Sequence, residues 1–499
     1  MNTPWPAPDS DETVYGVGRR GPNYRMRRAL VVLLALLLAG GTGAWFLRGD
    51  DGDDGNTDGG VRTWDRMVVQ DPVDGFVTVT DRDGEVLSTV ETGLAGLLDV
   101  GLDGRVVVGT AGTPSTDGIG VLSLEEDTKE ATDTIEVLDV DFDAVRRLGT
   151  SSFLIAYDPL GTGLQLVDVE AARVTDLLAL AESDAPFVTP DQVQIDPGHT
   201  HVAFTDFRGS VTLVVDTTAG TTADTTADTT AGGTAVSLPG SLADIAFGRA
   251  LTMTNRGDSA LLDLSDFDGT RVGTVEVPLP VATMLVDDHT VITVTAAGVV
   301  SRVDFTDESV DAVADIGPQL PLPPGADETT PLVAQGFVVA NHTRLVLLGE
   351  RFVALVDEEG ALVKSIDVAA QGTPLFGSDI DDRCVVVGPA VDGPVTFIDT
   401  EVGGIITSFT DGQVVGRSHD GCVVAVTRQE ADLVTGIVVG IDVNQSTDLT
   451  LVAVSDDGTA ALGNAARATS VVDVAPGAVG RADTREVAAF RAVGVFAHS

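Results

Sequence analysis

Lysine is almost missing from this 499-residue sequence: Lys129 and Lys364 are the only two. Aromatic residues make up 5%, and beyond residue 48 there is one tryptophan, Trp64, and one tyrosine, Tyr157. Cysteine occurs twice, at Cys384 and Cys422, without the spacing of a zinc site. Each scarcity excludes something. Few aromatics argue against a site that stacks sugar rings or a flat cofactor. With 76 acidic residues against 29 basic ones, the net charge of −47 repels nucleic acid and anionic headgroups. Nucleic acid is therefore not an expected partner. Also absent are a G-x-S-x-G elbow, a catalytic Cys–His context and a phosphate-cradling glycine loop.

What is present begins with a membrane signal. Residues 29–47, ALVVLLALLLAGGTGAWFL, carry no charge and are long enough to span a bilayer. Arg19, Arg20, Arg25, Arg27 and Arg28 precede the run and Arg48 follows it. This bias places residues 1–28 in the cytoplasm as a short tail and the bulk of the chain outside it. A cleaved signal peptide is the rival, with GGTGA as its cleavage region. The long leader and the bulky Trp45 and Phe46 after GGTGA favour an uncleaved transmembrane helix. Either reading exports the rest. The six arginines and three carboxylates of residues 1–48 leave 23 cations against 73 carboxylates in the remainder, a net −50.

Residues 48–64 form an acidic, Gly-rich linker. Within and just after it, Asp54, Asn56, Asp58 and Asp65 fall at positions 1, 3, 5 and 12 of an EF-hand-type calcium loop, with Gly59 at the sharp turn. Position 12 is Asp rather than Glu, and no amphipathic helices flank the loop. The readings are a calcium site or an accidental match in an Asp-rich stretch.

From residue 65 to 499 one pattern recurs. An alternating apolar strand ends in Asp, a Gly-containing or acidic turn follows, and a second strand returns. FVTVTDRDGEVLSTV from Phe76, ALLDLSDFDGTRVGTVEV from Ala260 and FVALVDEEGALVKSIDV from Phe352 are examples among nine such hairpins, spaced 39 to 53 residues apart. Ahead of most lies another short strand opened by a turn, as in HDGCVVAVT at His419 and DDGTAALG at Asp456. A period of about 45 residues with four short strands per unit is a propeller-blade signature. Each sheet has two apolar faces that only stacking on neighbours can bury. Val169–Leu180 reads as strand, turn and strand in register with the others. Residues 216–235, rich in Thr, Ala, Asp and Gly, read as a low-complexity excursion from a hairpin tip.

The Asp-Gly turn before Val-rich residues, followed by a strand ending in Asp, resembles the degenerate propeller repeats grouped as WD40-like, YVTN-like and quinoprotein-like. The resemblance spans about residues 65–480 and carries no site residues. It implies an all-β fold, a seven- or eight-bladed β-propeller of four-stranded blades, preceded here by the transmembrane helix.

Three functions remain open. The first is a non-catalytic binding or scaffold module for a protein or peptide partner in the envelope. The second is a propeller enzyme, hydrolase, lyase or quinoprotein-like oxidoreductase, using funnel carboxylates or a metal. The third is a cation-responsive sensor built on the linker loop. His199 and His201 have strand-face spacing that suits a metal, but a turn-and-strand-start role fits them better. Asp381 and Asp382, and Asp139, Asp141 and Asp143, read as solvated turns. Cys384 and Cys422 occupy one register in successive repeats, each followed by Val-Val, and are either bridged or buried thiols.

Overall fold

The computed structural model describes residues 64–497, apart from short loops and the stretches 111–117, 124–134, 139–143, 178–192, 218–234, 323–329 and 369–382. The proposed cytoplasmic tail, transmembrane helix and nearly all of the linker lie outside the described residues. Among the described residues no helix is long and apolar enough to cross a membrane.

The chain is all-β, and its strands form ten sheets among the described residues. Most have four antiparallel strands that follow one another in sequence from the inner edge to the outer edge. Numbered in chain order, sheet 1 holds Arg66–Gln70, Phe76–Asp81 and Val86–Glu91 with Val493–Ala497, sheet 2 runs from Leu97–Val100 to Ile135–Leu138, sheet 3 from Ala144–Arg147 to Arg173–Asp176, and sheet 4 from Val193–Ile195 to Ala235–Pro239. Sheet 8 runs from Cys384–Val387 to Gly404–Phe409, sheet 9 from Gln413–Arg417 to Val443–Thr447, and sheet 10 from Thr450–Val454 to Thr484–Ala488. In sheet 5 the strands are Ser241–Ala246, Arg249–Asn255, Ser259–Asp266 and Arg271–Pro278. In sheet 6 they are Pro280–Leu285, Thr290–Thr295, Val299–Asp304 and Ser309–Asp315. In sheet 7 they are Val333–Val339, Arg344–Gly349, Phe352–Asp357 and Leu362–Asp367.

Alternation along the strands explains the stacking. In Arg344–Gly349, Leu345 and Leu347 pack with Ile292 and Val300 of sheet 6. Val346 and Leu348, one residue out of phase, pack with Val385 and Ile398 of sheet 8. Successive side chains of a strand point to opposite faces, so a run that is apolar throughout serves two seams at once. The same device joins sheet 3 to sheet 4 through Ile155 and Phe204, and sheet 9 to sheet 10 through Val438 and Val472. Each fully buried Leu or Val stabilises its seam by about 1.5–3 kcal/mol.

The series closes on itself. Val493–Ala497 pairs antiparallel with Arg66–Gln70 and supplies the inner strand of sheet 1. That strand lies beside Leu97–Val100 of sheet 2 and Thr450–Val454 of sheet 10. Trp64, Met67 and Val69 complete the seam between sheets 1 and 10 against Ala460 and Leu462. This is β-propeller architecture: radial sheets, and a ring latched by pairing an early segment with a late one.

Seven or eight blades were expected and ten sheets are present. Each of the nine hairpins belongs to its own sheet. The tenth sheet comes from the Asp456 element, whose strand Ala460–Asn464 pairs with Thr469–Asp473. Between Thr469–Asp473 and its partner Thr484–Ala488 the chain detours, and Val479–Arg481 adds to sheet 9 as a parallel fifth strand. That detour stretches the hairpin and hid the repeat.

The Asp that closes the third strand has a structural use. Asp81 Oδ1 accepts the N–H groups of Asp83 and Glu85 at 2.9 and 2.8 Å. Asp304, Asp357 and Asp399 accept turn N–H groups in the same way. These carboxylates fix the outer hairpin turn. The 216–235 insert occupies that turn in sheet 4, between Val211–Asp216 and Ala235–Pro239. Val169–Leu180 contributes the strand Arg173–Asp176, paired with Leu164–Asp168.

Candidate functional site

Antiparallel strands put the turn after the first strand and the turn after the third on one face of the ring. On that face three neighbouring sheets, 5 to 7, bring polar and aromatic side chains together.

Asp244 sits near the end of the inner strand of sheet 5 and is 4% exposed. Its Oδ1 accepts the N–H of Ile245 at 2.8 Å and lies 3.2 Å from His342 Nε2. Its Oδ2 accepts the N–H of Leu285, on the inner strand of sheet 6, at 2.7 Å. His342 is 3% exposed and belongs to the first turn of sheet 7, where Ala340, Asn341 and His342 all have positive φ. Three consecutive left-handed non-glycine residues are uncommon. One carboxylate therefore ties three sheets together at their inner edge. The ring of Phe247, from the first turn of sheet 5, meets the His342 ring edge-on at 5.5 Å between centroids.

Beside this pair stands an acidic cluster. Asp287, Asp288 and His289 form the first turn of sheet 6, with potential ligand atoms within 4.8 Å of one another. His289 Nδ1 lies 2.7 Å from Asp288 Oδ1, and Arg249 pairs with both Asp266 and Asp288. The hydrogen bond to Asp288, with the charges of Asp287 and Asp304, holds the His289 pKa above the ordinary histidine value. The same bond holds Asp288 below the usual carboxylate range.

The residues singled out from sequence fall elsewhere. Asp54, Asn56 and Asp58 lie outside the described residues; Asp65 is half-buried between Trp64 and Arg66. Asp139, Asp141, Asp143, Asp381 and Asp382 also lie outside them. His199 is a turn residue with φ +55°, its N–H bonded to Asp196 O at 2.8 Å. Gly421 and Gly458 hold the equivalent place in their turns, bonded to Ser418 O and Ser455 O. His201 opens the next strand, and its ring lies 4.2 Å from that of Phe267. Cys384 of sheet 8 and Cys422, just before the second strand of sheet 9, are joined as a disulfide with Cα atoms 5.0 Å apart. Both are buried in the seam between the two sheets.

Sequence reasoning missed the Asp244–His342 pair and Phe247. The pair is separated by 98 residues and no local motif announces it. Phe247 did leave a trace: Phe-Gly stands between two apolar runs where Asn-Gly is the usual two-residue turn.

No known family's sequence profile matches the chain, and no curated protein matches it. The structure is similar to those of propeller proteins. A structure titled "Crystal structure of the eukaryotic initiation factor" aligns at TM-score 0.43 and 9% identity, over 76% of this chain and 94% of that one. Saccharomyces cerevisiae Sqt1 aligns at 0.39 and 10%, over 68% and 94%. The C-terminal WD40 domain of Sif2 aligns at 0.36 and 11%, over 65% and 93%. The propeller architecture itself rests on the chain's own strand pairing and on the seams between its sheets.

Proposed function

We propose that this chain is a membrane-anchored, extracytoplasmic propeller of ten blades in a single ring, acting as a non-catalytic scaffold that binds a protein or peptide of the cell envelope. The observation that carries the reading is how the chain employs its polar side chains. The carboxylates that end the third strands bind turn N–H groups, and Asp196 and Asp244 bind backbone N–H groups of their own turns or of a neighbouring sheet. They shape a rigid ring, a platform whose loops present surface rather than chemistry. Export is supported by the five arginines before residues 29–47 and by a disulfide in the seam between two blades, a bond that persists in oxidising compartments.

Two experiments test this reading. A reporter that fluoresces only in the cytoplasm, fused after Ser499, stays dark if the bulk of the chain is exported; a bright full-length membrane fusion reverses the orientation. Mild crosslinking in the native membrane, followed by purification through the full chain, recovers a discrete partner in stoichiometric amount. Recovery of the chain alone across several crosslinker lengths overturns the scaffold reading.

A further inference from the structure

Ser241–Ala246 turns into Arg249–Asn255 through two residues, Phe247 and Gly248, with Ala246 paired to Arg249. Their φ values are +52° and +74°. Positive φ at both central positions makes a type I′ turn, whose first place suits Asn, Asp or Gly. A bulky aromatic residue there is a conformational outlier. The usual compensation, burial of the ring, is incomplete: Phe247 is 47% exposed. The ring is nevertheless held. The His342 ring packs on it at a steep angle, Asp244 fixes His342, and the N–H groups of Ile245 and Leu285 fix Asp244. An exposed aromatic kept in an unfavourable backbone conformation by buried supports has the form of a pre-organised contact residue.

Its surroundings state what it would meet. Arg249, which closes the Phe247–Gly248 turn, reaches Asp266 at the end of the third strand of sheet 5 and Asp288 in the first turn of sheet 6, where Asp287 and Asp304 act on the neighbouring His289. The two cationic groups among them, Arg249 and His289, are already paired to these carboxylates. Resting on the scaffold reading above, we propose that Phe247 is the anchor of the partner-binding face, and that the partner is a protein segment presenting an apolar side chain beside lysine or arginine. The ring would cover the apolar group and the acidic turns would receive the cations.

The test uses the full chain in nanodiscs of zwitterionic lipid and three labelled peptides of equal length, built from Lys and Leu, Lys and Ser, or Glu and Leu. By anisotropy, the Lys–Leu peptide is expected to bind at least tenfold more tightly than the other two. Phe247→Asn should weaken that binding at least tenfold while raising the melting temperature, because Asn suits the left-handed position. A purely structural Phe247 would behave oppositely, with a lower melting temperature and unchanged binding, and that result overturns the proposal. So does equal binding of all three peptides, or of none. Crosslinking in the native membrane separates the two readings. If Phe247→Asn still captures the wild-type partner, the scaffold stands and this anchor falls. If wild type captures nothing, the scaffold reading itself falls.

Discussion

Asp244 and His342 meet at 3.2 Å although the whole of sheet 6 lies between their sheets in sequence. Asp244 accepts three donors and His342 serves one acceptor. Their replacement should therefore be unequal. Asp244→Ala strands the N–H groups of Ile245 and Leu285 in the interior and should cost about 3 kcal/mol or more, whereas His342→Ala should cost about 1–2 kcal/mol. Denaturant unfolding of both variants and the double variant checks this; equal costs would show that the backbone donors find other acceptors.

A second pair gives a pH dependence. Burial alone would raise the Asp399 pKa, but the Arg383 hydrogen bond, the Glu401 N–H and the Arg383 charge outweigh it, and the carboxyl titrates below its ordinary value. Arg383 Nη2 lies 2.8 Å from Asp399 Oδ2. A depressed carboxyl pKa contributes stability that is present above the unfolded value of about 3.9 and is lost as pH falls through the folded value. Arg383→Gln should move the acid unfolding midpoint to higher pH and leave stability at pH 7 lower than wild type. Acid titrations followed by circular dichroism would show the shift, and superimposable curves would refute it.

The disulfide offers a third prediction. Cys384 and Cys422 are 38 residues apart, and closing a loop of that length restricts the unfolded chain by about 3–4 kcal/mol. Reductant should lower the melting temperature, and Cys384→Ala should melt at the same lower value with no further response. Two free thiols found by mass analysis under denaturing, non-reducing conditions would contradict the bond.

Ring closure offers the fourth. Removing residues 493–499 deletes the inner strand of sheet 1 and exposes the backbone of Arg66–Gln70 and the inner edges of sheets 2 and 10. Unpaired edges invite association. The truncated chain should unfold at lower denaturant concentration and form larger species in sedimentation than the full chain; a monomer of unchanged stability would mean that the seams alone close the ring.

The fold was largely legible because a blade repeats its physics. Apolar alternation, a terminal Asp and a Gly turn recur wherever a hairpin forms, and the hairpins beginning at Phe76, Ala260 and Phe352 coincide with paired strands. The number of sheets was not legible, because a hairpin interrupted by Val479–Arg481 no longer resembles its neighbours. The inner-edge pair was invisible for a different reason. Asp244 lies on a strand and His342 in a turn two sheets further on, no local sequence signal links them, and only the stacking of the sheets brings them together.

The pairing of Val493–Ala497 with Arg66–Gln70 also imposes an order on synthesis. Segments emerge from the ribosome from the N-terminus onward, so the strands of sheet 1 wait for their inner partner until every other blade has been made. Throughout that interval the nascent chain holds an open arc with two adhesive ends. The acidic composition of the chain beyond residue 48, net −50 when complete, opposes the approach of neighbouring arcs most strongly at low salt.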